Sequence, residues 1–140
     1  MTTDSSTTHL GVTATLGRAA HLVARRIEEA VRPPRGPGLD AWRVLDLLAD
    51  GAGHPMSEIA THAMVPAPTL TKIVDRLVDR GLVYRRPDDA DRRRVLVLLA
   101  ERGRELHTSL APAVRAIEDE VRSLLGPDGD RVLAALERLS

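Results

Sequence analysis

Three consecutive arginines, Arg92, Arg93 and Arg94, follow the acidic residues Asp88, Asp89 and Asp91 in a stretch opened by Pro87. Adjacent guanidinium groups repel one another and have no place in a core, so they are set out to meet an external anion. An arginine on a protruding loop can enter the narrow minor groove of a DNA duplex, where negative potential is concentrated. Asp91 is placed to hold a neighbouring guanidinium in a fixed fork, so that the loop arrives preorganised. Upstream, Pro68, Thr69, Thr71, Lys72 and Arg76 join short hydroxyls to two cations, a set suited to phosphate oxygens and base acceptors. The whole chain of 140 residues is formally neutral, yet residues 66–104 hold ten basic and six acidic side chains and so carry +4, against −4 elsewhere. One segment therefore presents a positive field that the rest of the chain cancels.

Other chemistries find no support in the residues. The absence of Cys excludes disulfides, thiolate metal sites and thiol nucleophiles. His9, His21, His54, His62 and His107 show no HxH or HxxxH spacing, so scattered surface histidines account for them better than a metal site does. Ser57 and Ser109 belong to no nucleophile elbow, Glu118-Asp119-Glu120 reads as a solvated helix face, and no glycine-rich phosphate loop exists. Neither an enzyme nor a cofactor is expected. No apolar run approaches the ~20 residues of a membrane span, and the polar residues 1–9 lack the pattern of a signal peptide. A cytoplasmic chain without membrane contact is the expectation.

The elements that must position the charged residues follow from periodicity. Residues 1–9 read as a disordered tail. Leu16, Ala20, Val23, Ile27 and Val31 lie on one face of a long helix over 10–32, which the run Pro33-Pro34-Arg35-Gly36-Pro37-Gly38 ends. Asp40 is placed to cap a short helix containing Trp42, Val44, Leu45 and Leu48, and Ser57 to cap the next, with Ile59 and Ala63 inside. Pro68 biases Ala67 away from helical backbone and suits the first helical position. A helix is therefore expected from Pro68 to Arg80, with Leu70, Ile73, Val74 and Leu77 buried and Gly81 as its left-handed stop. On that helix Pro68, Lys72, Asp75, Arg76 and Asp79 fall opposite the buried stripe, with Thr69 and Thr71 at its flanks.

Beyond Gly81 the pattern becomes extended over 82–86 and 95–99, with a charged tip at 87–94. A long helix after Ala100 carries Leu106, Leu110, Val114, Ile117, Val121 and Leu124; Gly126-Pro127 breaks it, and Val132, Leu133, Leu136 and Leu139 form a last short helix. The result is a mainly α fold with a small β-wing: a winged helix-turn-helix over 37–100, embedded in a helical dimerisation base built from 10–36 and 101–140. Three amphipathic flanking helices cannot bury their stripes on so small a module. Dimerisation would cover them and set two recognition helices one DNA turn apart, ~34–36 Å, which implies a (pseudo)palindromic double-stranded operator.

The stretch 39–105 resembles the MarR (multiple antibiotic resistance regulator) transcription factors, most specifically in residues 70–83, Asp91-Arg92-Arg93 and Leu96-Val97-Leu98-Leu99. The resemblance implies a homodimeric regulator, commonly a repressor, whose first, fifth and sixth helices build a shared base. It places Thr71, Lys72 and Arg76 where the family contacts DNA, and Arg93 as the wing-tip arginine of the minor groove with Asp91 as its orienting acid. It also implies a small aromatic or amphipathic effector between base and winged domain, where His21, Arg25, Trp42 and His107 are the candidate lining. Ala100 departs from the Thr usual in the family, which implies a weaker start to the next helix. Two other readings stay open: a winged-helix module used only for protein contacts, which the arginine tip argues against, and a metal-responsive regulator.

Overall fold

The breaker runs at 33–38 and 65–68 divide the helices, and between and beyond them the described residues form six α-helices and three short strands. The structure is a computed structural model that describes residues 11–140, so the tail expected over residues 1–9 lies outside the described residues. The elements are α1 (Val12–Val31), α2 (Leu39–Leu48), β1 (His54–Pro55), α3 (Met56–Ala63), α4 (Ala67–Asp79), β2 (Val83–Pro87), β3 (Val95–Leu99), α5 (Glu101–Leu124), a 3-10 turn (Gly126–Asp128) and α6 (Gly129–Glu137). β2 and β3 form the expected antiparallel hairpin, with Val83 opposite Leu99 and Pro87 opposite Val95. β1 adds a third strand on the far side of β3, giving the order β1-β3-β2.

Several helix starts differ from expectation. α2 begins at Leu39 rather than after an Asp40 cap; Gly38 precedes it at φ 91°, and the Leu39 N–H donates to Glu28 Oε2 at 2.6 Å. A carboxylate from α1 thus satisfies one of the orphan donors of the first turn of α2. Ser57 lies inside α3, which starts from Pro55. α4 starts one residue early, with Ala67 helical and Pro66 as the extended residue before it. Pro68 then occupies the second helical position, whose N–H has no intrahelical partner in any case. Gly81 has φ 70° as the left-handed stop, and its N–H and that of Leu82 close back on Val78 and Leu77. α5 starts at Glu101 with Ala100 before it and no side-chain cap, in line with the departure noted there. Pro112 lies inside α5 on its exposed side, and Leu139 falls beyond the end of α6.

Two apolar clusters follow. The larger is the core of the winged unit and joins Leu45, Leu48, Ile59, Leu70, Val74, Leu77 and Val97, among others. The smaller joins Val31 of α1, Trp42 of α2 and Leu110, Ala111 and Val114 of α5. Leu106 packs against both and bridges them. At their junction α5 passes close to the chain entering β2: a Cβ on Gly103 would lie 2.0 Å from the Leu82 carbonyl oxygen.

β1 is secured by a polar clasp. His54 Nε2 lies 2.7 Å from Asp50 Oδ2 and His54 Nδ1 lies 3.0 Å from Glu58 Oε2. A carboxylate can only accept, so both bonds exist together only when both ring nitrogens carry protons. Burial of the ring works against its charge, but the bonds and charges of Glu58 and Asp50 outweigh it, and the His54 pKa is raised above 6.5. Asp50 is lowered from 3.8, chiefly by the Ala52 N–H, against desolvation and with help from His54. A raised His pKa stabilises the fold fully below the unfolded value and is lost as pH rises through the folded one. The lowered Asp50 contributes above its unfolded value and is lost as pH falls through its folded one. The melting-temperature gap between wild type and His54→Gln should therefore be widest near pH 5–6 and shrink as pH rises past 7; a gap constant from pH 5 to 8.5 would refute the clasp.

Candidate nucleic-acid interface

α4 is amphipathic, with Leu70, Val74 and Leu77 buried, so the residues between them must face outward. Pro68, Thr69, Thr71, Lys72, Asp75 and Arg76 are all exposed. The Thr71 hydroxyl donates to the Ala67 carbonyl at 3.1 Å, which leaves its oxygen as an acceptor and its methyl as an apolar contact for anything approaching this face. Pro66 and Pro68 carry no N–H, so side chains rather than backbone must supply the donors at the start of the helix.

A contact that the sequence did not reveal joins this face to the wing. Arg85 on β2 donates to Asp75 Oδ1 at 2.5 Å. The two residues sit on different elements, and the packing of α4 against β2 brings them together. The pair is half-exposed and contributes little to stability, but it links the outward face of α4 to the wing.

At the tip, Asp91 does not hold a guanidinium in a fork. Its Oδ1 accepts the Arg93 backbone N–H at 3.1 Å, while Arg93 Nε lies 4.0 Å away and the Arg93 side chain is 96% exposed. With Arg94 N–H closing on the Asp91 carbonyl at 2.9 Å, Asp91 shapes a tight turn. Asp88 makes the same kind of turn, accepting from Ala90 N–H at 3.0 Å. The acid thus orients the backbone from which Arg93 projects and leaves its guanidinium in solvent. Arg92 is exposed, and Arg94 Nε lies 3.9 Å from Asp88 Oδ2.

The candidate effector residues separate into two pairs. A cavity of about 730 Å³ opens between α1, the start of α2 and α4, and His21 and Arg25 line it. Trp42 and His107 do not. Trp42 is in the core, its ring stacks on His107 with centroids 4.9 Å apart, and His107 Nε2 lies 2.8 Å from Asp46 Oδ1. Their side chains hold α5 against α2 instead. The cavity wall also includes Arg76 and Arg80 of α4, which periodicity alone did not assign to it. Among the described residues no group of His, Asp and Glu is arranged to hold a metal ion, and no helix is long and apolar enough to cross a membrane.

Two short helices joined by a turn, an exposed second helix and an arginine-tipped hairpin tied to it define a winged helix-turn-helix protein. Residues 36–94 match the family model described as MarR family. Over that stretch, 59 of its 140 residues, the chain is similar to the MarR family. It is 33% identical over 85 residues to the HTH-type transcriptional regulator FarR of Neisseria gonorrhoeae, a match covering 61% of this chain and 58% of FarR. It therefore spans less than two thirds of that relative. Among solved structures, NadR in complex with 4-hydroxyphenylacetate is similar with a TM-score of 0.79 at 26% identity, covering 99% of this chain and 96% of that one. The transcriptional repressor CouR, bound to a 23-mer DNA duplex, gives 0.77 at 29% identity with 92% of each chain covered.

Proposed function

We propose that this chain is a cytoplasmic, homodimeric, sequence-specific DNA-binding transcriptional regulator, a repressor released by a small aromatic or amphipathic effector. The observation that carries this reading is the Asp75–Arg85 pair, which joins an exposed helix face and an arginine-tipped wing into one cationic surface. In this reading α4 enters the major groove with Pro68, Thr69, Thr71, Lys72 and Arg76, and Arg92, Arg93 and Arg94 reach the adjacent minor groove from the turn that Asp91 shapes. The CouR–DNA complex supports the choice of ligand, and the NadR complex supports an aromatic acid as the class of effector.

Residues 37–100 serve as the DNA-binding domain, with 10–36 and 101–140 as the dimerisation region. Leu22 is 55% exposed, Leu124 77% and Val132 40%, and residues 12–22 of α1 are exposed throughout. Apolar surface of that extent on three helices calls for a partner, and a second copy of the same helices supplies one. The test is titration of the protein against duplexes from its own upstream intergenic region in excess random DNA. Competitor-resistant binding at two protomers per site is expected. Weak, salt-sensitive binding to every duplex would favour a winged helix that docks on protein instead. In the same assay Lys72→Ala should lower the salt slope by about one unit, as loss of a single phosphate contact does.

A further inference from the structure

The start of α4 is apolar, where a helix that meets a polyanion ordinarily offers hydrogen-bond donors. Met64, Pro66, Ala67 and Pro68 are all exposed, Met64 by 69%. None of the four has a donor in its side chain, and Pro66 and Pro68 have no N–H either. Thr71 lies one turn on, at the i+4 position from Ala67 and the i+3 position from Pro68, so the three share one side of the helix. Its hydroxyl proton is donated to the Ala67 carbonyl at 3.1 Å, which holds the side chain in one rotamer. A phosphate oxygen can only accept, and Thr71 has no proton left to give it. What Thr71 still presents is a methyl group and the lone pairs of its oxygen.

One base pair in the major groove answers to both features. Thymine carries its 5-methyl group there, its partner adenine carries an N6 amino donor, and a threonine methyl is a suitable apolar contact for the first. The residues at the start of a recognition helix are the ones that reach base edges. We infer that Thr71 is a specificity-determining residue: its methyl group, beside the Pro68 ring, packs on the 5-methyl group of a thymine in each half of the operator. This rests on the DNA-binding reading and adds to it which base is read, and by which group. The adenine amino group can donate to the Thr71 oxygen, so an A·T pair satisfies the whole side chain, whereas a G·C pair offers it no methyl group. Lys72 and Arg76, exposed on the same helix, supply the charge that holds α4 in the groove. Affinity and base choice are thus divided between neighbouring side chains.

The experiment replaces thymine by deoxyuridine, one position at a time, through the upstream duplex that the protein holds against competitor. Uracil lacks only the 5-methyl group and keeps its pairing and its O4 acceptor. Anisotropy at constant salt reads affinity, and thermal melts verify that the variants fold. In wild type, one thymine in each half-site should show a loss of about fourfold on conversion to uracil, the size of one buried methyl group. Thr71→Ser keeps the hydroxyl and loses the methyl, so it should bind thymine and uracil equally at that position. Thr71→Val keeps a methyl and loses the hydroxyl, so it should still discriminate. Tolerance of uracil at every position by wild type would overturn the inference. So would discrimination by Thr71→Ser equal to that of wild type, which would trace the loss to groove shape or to another side chain. A large loss in Thr71→Val with none in Thr71→Ser would overturn it as well, because the hydroxyl would then be the group that DNA meets. In each of those cases specific binding persists and the regulator reading stands alone. Failure of the wild type to hold any duplex against competitor removes that reading and this inference with it.

Discussion

Replacing Gly103 by alanine is expected to destabilise the fold by about 3 kcal/mol, at the upper end of what an overpacked methyl group costs. The added carbon would lie 2.0 Å from the Leu82 carbonyl oxygen and 2.7 Å from Leu99 Cδ1. A side chain could rotate away, but the carbonyl cannot retreat freely, because it accepts the Ala100 N–H at 3.0 Å. Moving it would break the bond that seats the start of α5 against the entry to β2. The comparison is Gly17→Ala in α1, where nothing lies within 4 Å of the new carbon and helix propensity predicts a gain of up to about 1 kcal/mol. Urea denaturation of both variants reads the difference. A midpoint for Gly103→Ala equal to that of wild type would mean that α5 does not sit against β2 as described.

Arg93→Ala should weaken operator binding by roughly 1–3 kcal/mol while leaving the melting temperature unchanged. Its guanidinium is almost fully exposed, so it contributes nothing to packing, and any effect must come from a partner. If the side chain enters a narrow minor groove, the loss should be larger on operators with A-tract flanks than on those with G·C flanks. Asp91→Ala should produce a smaller loss of the same kind, since it releases the turn and leaves the cation in place. Equal affinities for wild type and Arg93→Ala on every duplex would remove the wing from the interface.

Much of this was legible in the chain because local rules and tertiary packing agree. The stripe of Leu70, Val74 and Leu77 and the stop at Gly81 locate α4 to within a residue, and the unbroken apolar run over 95–99 locates β3. The one-residue error at Ala67 arose where the bias imposed by a following proline was outweighed by a helix start that needs no N–H from Pro68. β1 was invisible: two residues, one of them proline, carry no period, and only pairing with Val97 and Leu96 makes them a strand. Asp75–Arg85 was missed for a related reason, since its partners meet only through the packing of α4 against β2. For the cavity, His21 and Arg25 were found from their place on α1. Trp42 and His107 were grouped with them because both sit near the same joint, but their rings satisfy each other and Asp46. Arg76 and Arg80 escaped notice because a helix wheel assigns a residue to one face, and a long side chain at a boundary can serve two.

The small sheet also limits how copies of this chain can associate. Its order leaves β1 and β2 as edges, the places where a foreign strand could add. β1 is two residues long and ends in Pro55, which has no hydrogen to offer, and the chain turns at once into α3. β2 presents Arg85, Arg86 and Pro87 along its length, so an approaching strand meets two charges and a missing donor. Neither edge can template further pairing. Pairing of copies through the backbone of this sheet is thereby disfavoured at both edges.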